Sequence, residues 1–410
     1  MNFEHFLSKR ILSTIPYKNS ISAPIIKIGI VAIAIGMIVM IVSVGVGFGM
    51  QKEIKDKISS FEGHISIQSF NNSLNENSFN PISPKKTFID NLKIIPEIRN
   101  VERIISKFGV ARTENDFDGL FFKGVEKSYD FGKLNKYIIE GSNPKFSENF
   151  SNDVLISKVL ADKLNLKLDD SFQMLFSKSD NSKPSIIKLV VVGIYSSGFE
   201  DLDSKYIFGD IKQLRRISKW RDNQISSLEI QLNHDKSLEV ISENIYLNSP
   251  SELDVVTTKE KYYSIYEWID LFDKNIYLII FIMILVASIN IISVLVVLIL
   301  ERTNMIGVLK VLGVANISIQ KFFIYTSSYL IFAGIFLGNV IGLTILFIQY
   351  NYKIISLDPK IYYVDSVPVF IDFFHLLNLN VIVFSICVFS IFAPSLIVSK
   401  VNPKDSIKFN

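Results

Sequence analysis

Four long runs without a charged residue dominate the sequence: Ile28–Met50, Ile276–Leu300, Phe322–Tyr352 and Leu376–Ser399. Each exceeds the roughly 20 apolar residues that take an α-helix across a hydrocarbon core of about 30 Å. Their spacing is lopsided. One lies near the start, a long polar stretch follows (Gln51–Lys274), and the other three are close together. A soluble domain held between a first crossing and a compact three-helix group suits a machine that moves something at a membrane surface. It suits a channel or a soluble enzyme poorly. The first run is longer than the 7–15-residue core of a signal peptide and lacks a small-x-small cleavage site, so it reads as a retained helix.

Charge placement sets an expected orientation. The N-terminal segment carries Lys9, Arg10, Lys18 and Lys27, the loop after the second run Arg302, Lys310 and Lys321, and the tail Lys400, Lys404 and Lys408. The remaining short loop, Lys353–His375, carries only Lys353 and Lys360. With four crossings the three richer segments share one side, and the positive-inside rule makes that side cytoplasmic. Lys52, Lys55 and Lys57 after the first run are a counter-signal, but large domains translocate largely regardless of charge. The net charge of +3 gives no case for nucleic acid, and the single cysteine, Cys387, lies within the last apolar run.

The expected organisation is a cytoplasmic amphipathic segment (1–23, with Phe3, Phe6, Leu7 and Ile11 at helical spacing), helix 24–50, an external domain 51–274 and helix 275–300. A cytoplasmic loop 301–321, helix 322–352, an external loop 353–375, helix 376–399 and a cytoplasmic tail 400–410 complete it. Within the external domain, alternation and β-branched content predict strands at His64–Ser69, Arg103–Arg112, Gly119–Val125, Ile187–Tyr195, Tyr206–Phe208 and Ser227–Leu232. Helices are expected at Thr87–Ile94, Ser157–Leu164, Asp210–Ile217, Lys236–Leu247 and Lys259–Phe272. The fold class is therefore α+β, a polytopic membrane protein with four transmembrane helices and a large mixed α/β domain between the first two.

Small residues mark helix-packing faces. Gly334, Gly338 and Gly342 form two overlapping GxxxG steps, and Gly45 and Gly49 repeat the spacing in the first helix. Packing within the chain's own bundle and a subunit interface are both open.

Chemistry is conspicuous by absence. There is no GxxxxGK[ST], GxSxG or HExxH, and His5, His64, His234 and His375 stand apart from one another. No acidic residue interrupts the apolar runs, although proton and ion pathways usually need one. Asn290, mid-way along the second run, is either an interhelical hydrogen-bonding group or part of a substrate path. No catalytic residue, metal or resident cofactor is expected, and energy must come from another protein. The loop Glu301–Gly313, ERTNMIGVLKVLG, is the expected point of entry. Met305, Leu309 and Leu312 fall at i, i+4 and i+7, an apolar stripe that either presses into a groove on a cytosolic partner or lies on the inner leaflet, with Gly313 closing the helix.

That loop, ASINIISVL (Ala287–Leu295) before it, and the ending APSLIVSKVNPKDSIKF (Ala393–Phe409) resemble the FtsX-like/MacB-like ABC permease superfamily. GFGMQKEIKDKISSFEGHISI (Gly47–Ile67), DVLISKVLADKLNLKLDDSF (Asp153–Phe172) and VVVGIYSSGFEDLDSKYIF (Val190–Phe208) are similar more narrowly to LolC/LolE, the lipoprotein-releasing permeases. The resemblance implies a MacB-like periplasmic domain and a bacterial inner-membrane, non-catalytic permease. It would pair with a second copy or a paralogue, and with a LolD-like cytosolic ATPase that supplies the ATP and Mg chemistry. Lipoprotein would leave the membrane for a LolA-like periplasmic carrier. Carried over onto this sequence, Arg302, Thr303, Asn304, Met305, Gly307, Leu309, Lys310, Leu312 and Gly313 belong to the ATPase-coupling helix. Val46, Phe48, Asn290 and Ser293 are cavity candidates. Many superfamily members carry an acidic residue where this chain has Met305, which bears on the ATPase contact. The alternative within the superfamily is a mechanotransmitting permease for efflux or for control of cell-wall hydrolases. A ligand-binding membrane receptor would instead need a cytoplasmic signalling domain.

Overall fold

A computed structural model describes residues 22–72, 80–147, 149–177, 183–234 and 237–400. The expected N-terminal amphipathic segment and the C-terminal tail lie outside the described residues, apart from the start of the first helix and Lys400. The chain divides into two compact units. One comprises Met1–Gln51, Ile269–Ser356 and Ser366–Asn410, the other Lys52–Trp268 and Leu357–Asp365.

The first unit is built from helices α1 (Ser22–Glu62), α6 (Tyr263–Glu301), α8 (Asn316–Tyr352) and α9 (Phe373–Ser395), all long and apolar enough to cross a membrane. A short helix, α7 (Thr303–Val311), joins α6 to α8. Two helices run well past their apolar runs. α1 continues beyond Met50 to Glu62, because Ile54, Ile58 and Phe61 keep a buried stripe at helical spacing while Lys52, Glu53 and Lys55 take the other side. It stops at Gly63, whose φ of +75° favours glycine. α6 begins at Tyr263, so the expected helix Lys259–Phe272 and the second apolar run are one element, preceded by a separate turn at Thr258–Lys261. Charge ends an apolar run; it does not end a helix. The last crossing, in contrast, is shorter than its run: Pro394 lies in its final turn and α9 closes at Ser395.

Glycine spacing fixes how α1 and α8 meet. A Cβ on Gly334 would fall 2.8 Å from Ile33, one on Gly338 2.5 Å from Met37, and one on Gly342 3.3 Å from Ile41. Leu346 meets Gly45 in the same way. Both numberings rise together in steps of four, so the two helices run parallel, with so close an approach at Gly334 and Gly338 that a Cβ there would force a shift. Gly29 against Val294 and Gly47 against Ile276 show α6 running antiparallel to α1 on another side. Gly49 packs on the backbone of Pro368 rather than on a helix, and Phe370 donates its N–H to the Gly45 carbonyl at 2.9 Å.

The second unit is a ten-stranded mixed sheet with strands β1 (Ile65–Ser69), β2 (Ile98–Arg112), β3 (Phe117–Val125), β4 (Ile138–Gly141), β5 (Asp153–Ser157), β6 (Ser171–Phe176), β7 (Ser185–Tyr195), β8 (Tyr206–Asp210), β9 (Ser227–Leu232) and β10 (Leu253–Thr257). The order is β10-β1-β9-β2-β3-β8-β5-β7-β4, with β6 pairing both β2 and β7. β3–β8 and β5–β7 are parallel; the other pairs are antiparallel. Helices α2 (Lys86–Ile94), α3 (Lys158–Lys163), α4 (Ile211–Ser218) and α5 (Leu238–Asn248) complete it. Strand alternation divides the sheet faces. Ile65, Ile67, Leu120, Phe122, Leu228 and Ile230 enter the apolar core, while their strand neighbours Ser66, Phe121, Lys123, Ser227 and Glu229 point the other way.

The loop expected over 353–375 is more than a connection. Its residues Leu357–Asp365 belong to the soluble unit, where Tyr363 stacks edge-on against Phe199 (4.6 Å) and Trp268 (5.7 Å). The Lys57 ammonium donates to the Tyr363 carbonyl at 2.7 Å.

Candidate functional site

α7 is a nine-residue helix presented by the turn between two membrane helices. Its start has no side-chain cap from Arg302; Thr303 turns its hydroxyl back to the Leu300 carbonyl at 2.6 Å. Its end is a Schellman closure. Val314 N–H bonds Leu309 O and Gly313 N–H bonds Lys310 O, and Gly313 takes a φ of +84° with open space around it. The Lys310 ammonium donates to the Val398 carbonyl at 2.8 Å, which ties the helix to the segment after α9.

The exposed face of α7 differs from the expected stripe. Ile306 and Gly307 are buried, and Met305 and Leu309 pack half-buried against the membrane-unit core. Val308, Val311 and Leu312 are 50%, 64% and 73% exposed, and Asn304 lies one turn earlier on the same side. Of the stripe Met305–Leu309–Leu312, therefore, only Leu312 is exposed. The reason is geometric. An amphipathic helix resting on its own bundle spends its richer apolar face there, and what it offers outward is the next face round. Val308, Val311 and Leu312, at i, i+3 and i+4, form a compact apolar patch.

The four cavity candidates lie on two helices, α1 and α6. Val46 and Phe48 are two residues apart on α1 and so point to nearly opposite sides. Val46 packs half-buried against the membrane core. The Phe48 ring lies 4.8 Å from His375, in a small pocket lined by Gly45, Leu346, Leu376 and Leu379. His375 in turn pairs with Asp372 at 2.7 Å. Asn290 and Ser293 are at i, i+3 on α6, which keeps them on one face of that helix. Ser293 is exposed, with its hydroxyl bonded to the Ile289 carbonyl at 2.9 Å, and Asn290 is half-buried.

A polar contact that sequence reasoning passed over links α8 and α9. The Asn339 amide donates to Asn380 Oδ1 at 2.6 Å, and the Asn380 amide returns a bond to Asn339 Oδ1 at 3.1 Å. Both side chains also bond their own helices at the i−4 carbonyl. Two asparagines in otherwise apolar runs were the available signal, since an amide in hydrocarbon needs a partner. Among the described residues, no group of three or more His, Cys, Asp or Glu side chains is placed to hold a metal ion.

Comparison with known proteins gives this geometry its context. The MacB-like periplasmic core domain model matches residues 28–245, more than half of the chain, and the FtsX-like permease C-terminal model matches 277–403. The chain belongs to this permease family. Among relatives, the permease resembles the lipoprotein-releasing system transmembrane protein LolE of Haemophilus influenzae, with 23% identity over 86% of each chain. It also resembles LolC of Neisseria meningitidis serogroup B, with 20% identity over 96% of each chain. Of solved structures, the periplasmic region of MacB from Actinobacillus actinomycetemcomitans aligns with 51% of the permease and 95% of that chain, at 15% identity and a TM-score of 0.33. The protein is thus a LolC/LolE-like ABC transporter permease with membrane-spanning helices, and its soluble unit is the MacB-like domain.

Proposed function

We propose that this permease is the membrane subunit of an ABC-type lipoprotein-releasing complex in the bacterial inner membrane. One observation carries the reading: the similarity to LolE and LolC extends over 86% and 96% of both partners, and so takes in the soluble domain as well as the membrane helices. The basic residues Arg302, Lys310 and Lys321 favour a cytoplasmic α7 and, with it, a periplasmic MacB-like domain.

In this scheme a separate LolD-like ATPase, holding ATP and Mg, docks on Asn304, Val308, Val311 and Leu312. Nucleotide-driven closure displaces α7. Lys310, the buried Ile306 and the half-buried Met305 and Leu309 hold α7 to the bundle, so the displacement passes to the membrane helices. A second permease, identical or paralogous, completes the assembly. Lipoprotein enters beside α1 and α6, where Val46, Phe48, Asn290 and Ser293 are the lining candidates, and leaves on a LolA-like periplasmic carrier. The permease contributes no bond-breaking step of its own. It converts displacement at α7 into extraction.

Purification in mild detergent followed by mass spectrometry tests this. A P-loop ATPase and triacylated lipoproteins are the expected companions. An ATPase accompanied by a cell-wall hydrolase, with no lipoprotein, would move the permease to the mechanotransmitting branch of the family.

A further inference from the structure

A buried ion pair and a buried carboxylate with an exposed partner, both in the soluble unit, have no part in the transport scheme above. Lys123 on β3 has a side chain only 1% exposed, and its ammonium pairs with Glu229 on β9 at 2.6 Å. The same ammonium donates at 2.5 Å to the carbonyl of Phe61, in the last turn of α1. Lysine at that position neutralises the negative end of a helix and satisfies a carbonyl without an intrahelical partner. The next residue, Glu62, is 6% exposed and accepts from the Lys261 ammonium at 2.6 Å and from the Tyr262 hydroxyl at 2.7 Å. Lys261 and Tyr262 immediately precede α6. The end of α1 is therefore bonded through Phe61 to the sheet and through Glu62 to the foot of α6.

Stability alone does not account for this arrangement, because well-packed apolar groups in place of a buried ion pair are often neutral or better. What charges add is a defined geometry, one ammonium matched to one carbonyl and one carboxylate. The surroundings also make the contact adjustable. Beside it lies an open cavity of about 150 Å³, whose mixed lining includes Ser66, Ser106 and Ser227, with room for several water molecules. Charges that separate here meet water rather than hydrocarbon.

We propose that Lys123 and Glu62 are positioning residues that join the ends of α1 and α6 to the sheet, so that a displacement of these helices arrives in the MacB-like domain as a movement of the sheet. The proposal rests on the transport reading in one respect, that the displacement originates in a nucleotide-driven partner.

The test uses the permease purified with the ATPase that accompanies it. Hydrogen–deuterium exchange over α7, β2 and β9 is compared with and without a non-hydrolysable ATP analogue. Wild type, Glu62→Gln and the pair Lys123→Met with Glu229→Leu are measured, with thermal melts to show that each is folded. In wild type both α7 and the sheet respond to nucleotide. In the two variants α7 responds as before, while the sheet response falls about tenfold, within the usual range for coupled sites. A sheet response in the variants equal to wild type overturns the proposal, as does a wild-type sheet that ignores nucleotide while α7 responds. An unresponsive α7, or the absence of any ATPase, removes the transport reading first and this proposal with it.

Discussion

Glu102 on β2 is 7% exposed, and its carboxylate accepts from the Asp130 N–H at 3.3 Å. Burial pushes its carboxyl above the usual range, and neither that hydrogen bond nor nearby Lys133 fully compensates. The sign follows from proton binding. The folded state holds this proton more tightly than the unfolded chain does, so the group's cost is absent below the ordinary glutamate range and grows as pH rises through the folded value. Glu102→Gln keeps the acceptor oxygen and removes the charge. Its melting temperature is expected to exceed wild type at pH 8, with the difference closing as pH falls towards 4; a constant difference would assign the effect to packing. Glu229 is also pushed up by burial, but Lys123 opposes the shift, so its removal strands a buried ammonium. None of this was legible in the sequence. The partners lie far apart in the chain, 106 residues in the case of Lys123 and Glu229, and no local pattern announces them.

At the scale of elements, the apolar runs identified the four membrane helices, and their GxxxG steps marked the surface of α8 that meets α1. Gly338→Leu would drive a side chain into Met37 and the Ala34 carbonyl, 2.5 and 2.9 Å from the added Cβ. Overpacking of this kind costs about 1–3 kcal/mol, read as a lower melting temperature in detergent; an unchanged value would mean that the helix face is not closely packed. Helix ends were less legible, since the change from apolar to charged residues at Met50 hid the continuing Ile54, Ile58 and Phe61 stripe. Strands β4, β5, β6 and β10 were absent from the sequence reading. β4, β5 and β10 are short, and β5 passes directly into α3, so Ser157 registered only as a helix start. The loop helix was legible in place but not in rotation, because the bundle claims Met305 and Leu309. The face correction gives a paired prediction. Val311→Asp leaves the permease folded and abolishes co-purification of the ATPase, whereas Leu309→Asp lowers the yield of folded permease itself. Full ATPase recovery with Val311→Asp would place the contact elsewhere.

For the molecule as a whole, the lopsided one-plus-three spacing acquires a physical meaning. The helices that flank the soluble domain in sequence are the two that continue farthest beyond their apolar runs, α1 to Glu62 and α6 from Tyr263. Each therefore belongs to both compact units, and each ends in the ion-paired joint around Phe61, Glu62 and Lys261. The proposed transmission of displacement along these helices needs no buried charge in the membrane, and their apolar runs carry no acidic residue. The most direct measurement is ATP-dependent release of a radiolabelled triacylated lipoprotein from proteoliposomes that contain this permease and its co-purified ATPase, with a soluble carrier outside. The account predicts transfer to the carrier that requires ATP and is lost with Val311→Asp. ATP hydrolysis at the normal rate with the lipoprotein left in the membrane would contradict it.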